Sequence, residues 1–177
     1  ALVAHEIGVH MVTTMNSNQQ KLHLFNLGLP VNTMTQEGLA ILAEYLSGNI
    51  TMKRLKKLAY RVIVVDMMCS GADFVDCFYF LTTTHNLEEN DAYSLVTRIF
   101  RGGGFTKDYL YLSGFVKILR LWENGNSLDP LLVGKTSHNF YNTIEEMMER
   151  DMIQKPQFIT QSFINPQIGN NNDIYEY

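Results

Sequence analysis

The first ten residues constrain this chain most: Ala1-Leu2-Val3-Ala4-His5-Glu6-Ile7-Gly8-Val9-His10. Two histidines and a glutamate interrupt an otherwise apolar, helix-compatible run. Imidazole is the commonest metal ligand, and zinc takes it readily. Glu6 follows the first histidine directly, where the HExxH metallopeptidase motif places its general base. Here the spacing is HExxxH. On a regular helix, side chains four apart nearly coincide in direction, whereas side chains five apart diverge by about 140°. One ion reaches both imidazoles only if the helix is locally widened, as a π-bulge does. Gly8, inside the motif, eases such a distortion. The plain alternative is a pair of ordinary helix histidines. Glu6 argues against it, because a carboxylate buried in so apolar a stretch is costly without a partner, and a metal site supplies one.

Composition bounds the rest. The 177 residues suffice for one domain with a sizeable core. Hydrophobic residues make up 46% and charged residues 18%, a globular balance. The net charge of −4 gives no basic footprint for nucleic acid. Cys69 and Cys77 build no disulfide framework and fit a reducing, cytoplasmic setting as inert thiols. No run is long and apolar enough to span a membrane; Val62 to Met68 is short and interrupted by Asp66. The methionines read as core filler.

The chain in order reads as mostly helical. Residues 1 to about 15 form a first helix, stopped at Asn16-Ser17-Asn18, and a loop follows to residue 34. Thr35 is placed to cap a helix from Gln36 to Ser47, with Gly48 as its stop. Thr51 can cap a third helix. It opens with Lys53, Arg54, Lys56 and Lys57, read as a solvated face, and continues into Val62-Ile63-Val64-Val65. That quartet is β-branched, but its flanks are helical. Helical runs follow over 72–85 and 91–100, the second with Asn90 as cap, up to the break Arg101-Gly102-Gly103-Gly104. Thr106 can cap a helix through Glu123. A short piece begins at Asp129-Pro130, and Ser137 or Asn139 opens a last helix through Met152. The expected division is one helical domain over residues 1–155 and an irregular tail over 156–177, without internal repeats.

Catalytic zinc usually has three protein ligands. The third is expected at Glu37, in Thr35-Gln36-Glu37-Gly38-Leu39-Ala40 on the next helix. That is the glutamate-zincin layout: a motif helix, a connecting loop and a second helix presenting a carboxylate. Glu44, on the same helical face, is an alternative ligand, but it is better suited to orient a histidine from outside. By itself Glu37 also fits a favourable acid in a first helical turn. His23, His85 and His138 stand at ligand spacing from nothing.

Three blocks in order carry a resemblance: His5-Glu6-Ile7-Gly8-Val9-His10, Thr35-Gln36-Glu37-Gly38-Leu39-Ala40, and Phe105-Thr106-Lys107-Asp108 with Tyr111 and Gly114. From Ala1 to about Glu123 the chain resembles the bacterial flavohemoglobin expression-modulating QEGLA-motif proteins and their animal relatives, the microtubule-associated tyrosine carboxypeptidases. The resemblance implies a mainly α, zincin-like (gluzincin-type) metallopeptidase domain forming the C-terminal part of a longer protein. It implies His5, His10 and Glu37 as zinc ligands and Glu6 as catalyst. It implies a carboxypeptidase, which in the animal branch removes a C-terminal tyrosine from tubulin. Gln36 before Glu37 fits the bacterial branch, so that substrate does not transfer directly.

Such an enzyme takes a peptide or protein C-terminus as substrate, with neither nucleic acid nor membrane as partner, and must hold a terminal carboxylate. Arg98, Arg101 and Lys107, beside the glycine turn, are the candidate cations. They read equally as favourable charge at a helix end. Tyr111 is a candidate oxyanion donor, or a core tyrosine with a satisfied hydroxyl. Asp108 has no role beyond supporting a first turn. Two alternatives remain: a zinc peptidase of other specificity, such as an aminopeptidase, and a metal-binding regulatory protein with little catalysis.

Overall fold

The computed structural model describes residues 2–104 and 106–167; among them there are helices and loops and no strand. Ala1, Phe105 and the end of the expected tail from residue 168 onward lie outside the described residues. The chain divides into two compact units. One is built from the residues up to Thr51 together with those from Ser113 onward, the other from Met52–Leu112.

In the first unit the histidines ride on one continuous helix of three parts: α-helical Leu2–His5, π-helical Glu6–Met11 and α-helical Val12–Ser17. The expected widening is present and covers the stretch between the two histidines. The QEGLA helix, Asn32–Leu46, starts earlier than the sequence suggests. Val31 precedes it at φ 55°, and Thr35 is no cap. Its hydroxyl, wholly buried, instead accepts the backbone N–H of His138 at 2.8 Å and meets His138 Nδ1 at 3.0 Å. From Thr35 to Leu46 the helix is buried on every side, as a helix without a polar face must be. Gly38 lets this helix approach Gly114 closely: a Cβ on Gly38 would lie 2.5 Å from the Gly114 carbonyl carbon.

Two amides hold a later segment against the motif helix. Asn16 donates to the carbonyls of Leu132 and Phe158 at 2.8 Å each and accepts the N–H of Phe158 at 2.8 Å. Gln20 does the same to Gln154, donating at 2.9 Å and accepting at 3.0 Å. Each pair mimics one rung of a β-ladder with a side chain in place of a strand. The helix ends at Ser17 as expected, and Asn16 and Ser17 at that end are buried, Asn16 as a clamp; the expected irregular tail includes a helical turn at Gln161–Ile164.

In the second unit Met52–Cys69, Phe74–Tyr79 and Glu89–Phe100 enclose a core of Val64, Val65, Cys77, Leu81, Ala92, Leu95, Val96 and Ile99. The β-branched quartet is helical, because core packing overrides its weak strand preference. Asp73 and Asp76 form a reciprocal cap, after which the helix passes into a second π segment, Phe80–Thr84. Glu88, not Asn90, caps Glu89–Phe100 by accepting the N–H of Asp91. Leu110–Glu123 starts four residues beyond the expected cap, and Thr106 Oγ1 accepts the N–H of Asp108 at 3.2 Å instead.

Candidate metal centre

His5, His10 and Glu37 each offer a ligand atom, and these atoms lie within 4.8 Å of one another. The π segment turns His10 toward His5; their rings meet edge-on at 75° with centroids 5.2 Å apart. Glu37 Oε2 stands 3.4 Å from His5 Nε2 and 3.8 Å from His10 Nε2. Ligands about 2 Å from a tetrahedral zinc ion are roughly 3.3 Å from one another, so this trio is spaced as a ligand set. Gly8 serves the arrangement by packing as much as by flexibility. A Cβ there would come within 2.9 Å of Thr160 Oγ1.

Glu44 closes the centre from behind. Its Oε1 lies 2.8 Å from His5 Nδ1. That bond puts the Nδ1 proton on the carboxylate side and leaves Nε2 facing Glu37, the usual support for a metal-bound histidine. Glu37 and Glu44 are 5% and 2% exposed. Two carboxylates this deeply buried require positive charge nearby. Burial opposes a charge on His5, but its hydrogen bonds to Glu37 and Glu44 outweigh that and raise its pKa to about 9. One imidazolium thus lies between two acids, a cluster of the kind that can hold a divalent cation. The donor set, two imidazoles and a carboxylate, is that of zinc peptidases.

Glu6, expected to be buried in an apolar stretch, is exposed on the π segment and needs no metal to compensate for burial. Thr13 donates to Gln36 Oε1 at 2.8 Å, tying the motif helix to the residue preceding Glu37.

The remaining expected site residues belong to the second unit. Arg98 donates through Nε to Asp108 Oδ1 at 2.6 Å. Arg101 is exposed at the glycine turn. Lys107 Nζ stands 5.6 Å from the centroid of the Tyr111 ring, and Tyr111 is 9% exposed. Sequence reasoning missed Arg61. It is 8% exposed, with Nη1 3.4 Å from Asp108 Oδ1 and its guanidinium carbon 5.5 Å from the Tyr111 centroid. The available signal was its position where the basic run meets Val62-Ile63-Val64-Val65. Lys53 and Lys57 of that run lie 3.6 Å from Asp91, in exposed pairs of little energetic weight. Asp108, given no role from sequence, is 4% exposed and organises both arginines.

Over residues 1–172 the chain matches the family described as microtubule-associated tyrosine carboxypeptidase. The chain belongs to this family. Membership brings carboxypeptidase-like activity on a peptide or protein, and the match continues well past Glu123, where the three sequence blocks end. It lends no support to the expectation that the chain is the C-terminal part of a longer protein. No curated protein and no solved structure matches. No helix among the described residues is long and apolar enough to cross a membrane.

Proposed function

We propose that this family member is a zinc-dependent carboxypeptidase of the zincin-like, gluzincin type, working in the cytoplasm. The observation that carries the reading is the His5, His10 and Glu37 donor trio assembled across a π-widened helix. In this reading His5, His10 and Glu37 hold the ion, and Glu44 fixes the His5 tautomer. The ion, when bound, supplies a Lewis acid that acidifies a water and polarises the scissile carbonyl. Glu6 takes the proton of the attacking water on its carboxylate and returns it to the departing amine. Tyr111 is proposed as the oxyanion donor, and the cation for the terminal carboxylate is sought among Arg98, Arg101 and Lys107. A terminal tyrosine, as in the animal relatives, is the first substrate to try. Gln36 before Glu37 supports a reading nearer the QEGLA-motif branch.

The test uses the whole protein. Elemental analysis should find one zinc per chain. The loaded protein should release the last residue from peptides ending in a free acid and leave amidated peptides nearly untouched. Equal cleavage of both ends would remove the exopeptidase assignment and keep the hydrolase. A zinc-loaded protein that turns over no peptide would support the regulatory alternative.

A further inference from the structure

We propose that Arg61 and Arg98, set around Asp108 and the Tyr111 ring in the second unit, form a binding site for one carboxylate-bearing ligand. Two guanidiniums face one carboxylate. Asp108 is a single buried acid, and both arginines reach the same oxygen of it: Arg98 Nε at 2.6 Å and Arg61 Nη1 at 3.4 Å from Oδ1. Its other oxygen, Oδ2, accepts from Thr106 Oγ1 at 3.0 Å. One carboxylate thus serves two guanidiniums, and it holds Arg61 only at 3.4 Å.

Arg61 bears the consequence. More than nine-tenths of it is buried, yet its Nε–H has no acceptor. Buried donors are nearly always paired, and an unpaired guanidinium N–H is among the costlier exceptions. The cluster also works against this arginine's charge: burial and the neighbouring Arg98 guanidinium are the two largest influences, and both lower its pKa. A second anion relieves both deficits at once.

Carboxylate is the ligand class that the donors favour. Guanidinium is a planar fork that meets a planar carboxylate with two parallel hydrogen bonds. The Arg61 guanidinium carbon stands 5.5 Å from the centroid of the Tyr111 ring, so the aromatic face borders the same cation. The site reaches water through Arg98, whose side chain is 34% exposed. Arg61, Arg98, Asp108 and Tyr111 all belong to the second unit, and only the identification of the carboxylate with a peptide end rests on the peptidase reading.

The experiment needs neither zinc loading nor turnover. Protein labelled at arginine Nε is titrated with sodium acetate, with acetamide and with inorganic phosphate at matched ionic strength, and the Arg61 and Arg98 Nε–H resonances are followed. Acetate should give a saturable shift at Arg61 and slow its proton exchange with water, and acetamide should give none. Arg61→Lys, which keeps the charge and removes the fork, should weaken acetate binding at least tenfold, read at Arg98. Should that variant fail to fold, Arg98→Gln, at the more exposed position, should weaken the response at Arg61 similarly, while Arg120→Gln leaves it unchanged. A linear response without saturation, equal responses to acetate and acetamide, or tighter phosphate than acetate binding would each overturn the proposal. Failure here leaves the peptidase reading intact, and failure of peptide cleavage leaves this site intact.

Discussion

Glu44 Oε1 lies 2.8 Å from Nδ1 of His5, and through that bond a residue outside the donor trio decides which nitrogen of the imidazole faces Glu37. The bond is buried at both ends, so water cannot substitute for the acid. Replacing Glu44 with Gln keeps the shape but weakens the hold on the ring. Zinc affinity is expected to fall by roughly 10- to 100-fold, the usual scale for removing such a support. Glu37→Gln should cost more, because it takes the negative charge from a proposed ligand. Competition titration against a chelator of known strength measures both, and a Glu44 variant that binds zinc like the parent would contradict the assignment.

Glu6 should separate binding from turnover. It is exposed and is not one of the three clustered donors. Glu6→Gln should leave zinc content unchanged and reduce peptide hydrolysis by roughly 10² to 10⁴, the range for lost general acid–base help. Zinc loss in step with activity would make Glu6 a structural residue and sink its role as base.

How much was legible differs by kind of residue. HExxxH announced the pairing of His5 and His10 and its own distortion, because a 3.6-residue period does not bring positions five apart together. Glu37 was legible from spacing and the QEGLA block. Thr35 misled: a hydroxyl before an apolar run is a good cap in sequence, but its true partner is His138, far along the chain, and no local signal reports that. Asn16 was legible only in part: the helix does end at Ser17, but nothing local reports that the Asn16 amide clamps Phe158. Arg61 was hidden because a run of cations normally faces water, and only the fold shows that one member turns inward onto Asp108.

Gly38 should tolerate no side chain. A Cβ there would stand 2.5 Å and 2.6 Å from the Gly114 carbonyl carbon and oxygen, and these are backbone atoms that cannot swing aside. Gly38→Ala should therefore push two helices apart beside Glu37, at a cost of about 1–3 kcal/mol, the range for overpacked cores. Denaturant unfolding of the metal-free protein reads the loss directly. An alanine variant of parental stability would show that the close approach is not required.

His138 gives the fold a pH dependence of predictable sign. Burial first, and then the charge of Lys117, lower its pKa below the ordinary 6.5. Its Nδ1 meets the Thr35 hydroxyl at 3.0 Å, a bond that a neutral ring can accept and a protonated one cannot. In the unfolded chain His138 takes up its proton around pH 6.5, whereas in the fold it resists until the pH is lower. Between those points the unfolded state binds more protons, so stability rises with pH there. The stabilising contribution is complete above pH 6.5 and is lost as the pH falls through the folded pKa. Metal-free protein is the sample to use, because ligand protonation releases zinc in the same range. His5, raised to about 9 in the fold, adds stability that grows as the pH falls from 8 toward 6.5, equally in both proteins compared, so the comparison cancels it. Unfolding free energy measured between pH 8 and pH 5 should fall more steeply for the parent than for His138→Asn, which keeps a polar side chain but does not titrate. An NMR titration of the His138 ring should give a midpoint below 6.5, and a midpoint at or above it, or identical slopes for the two proteins, would defeat this account.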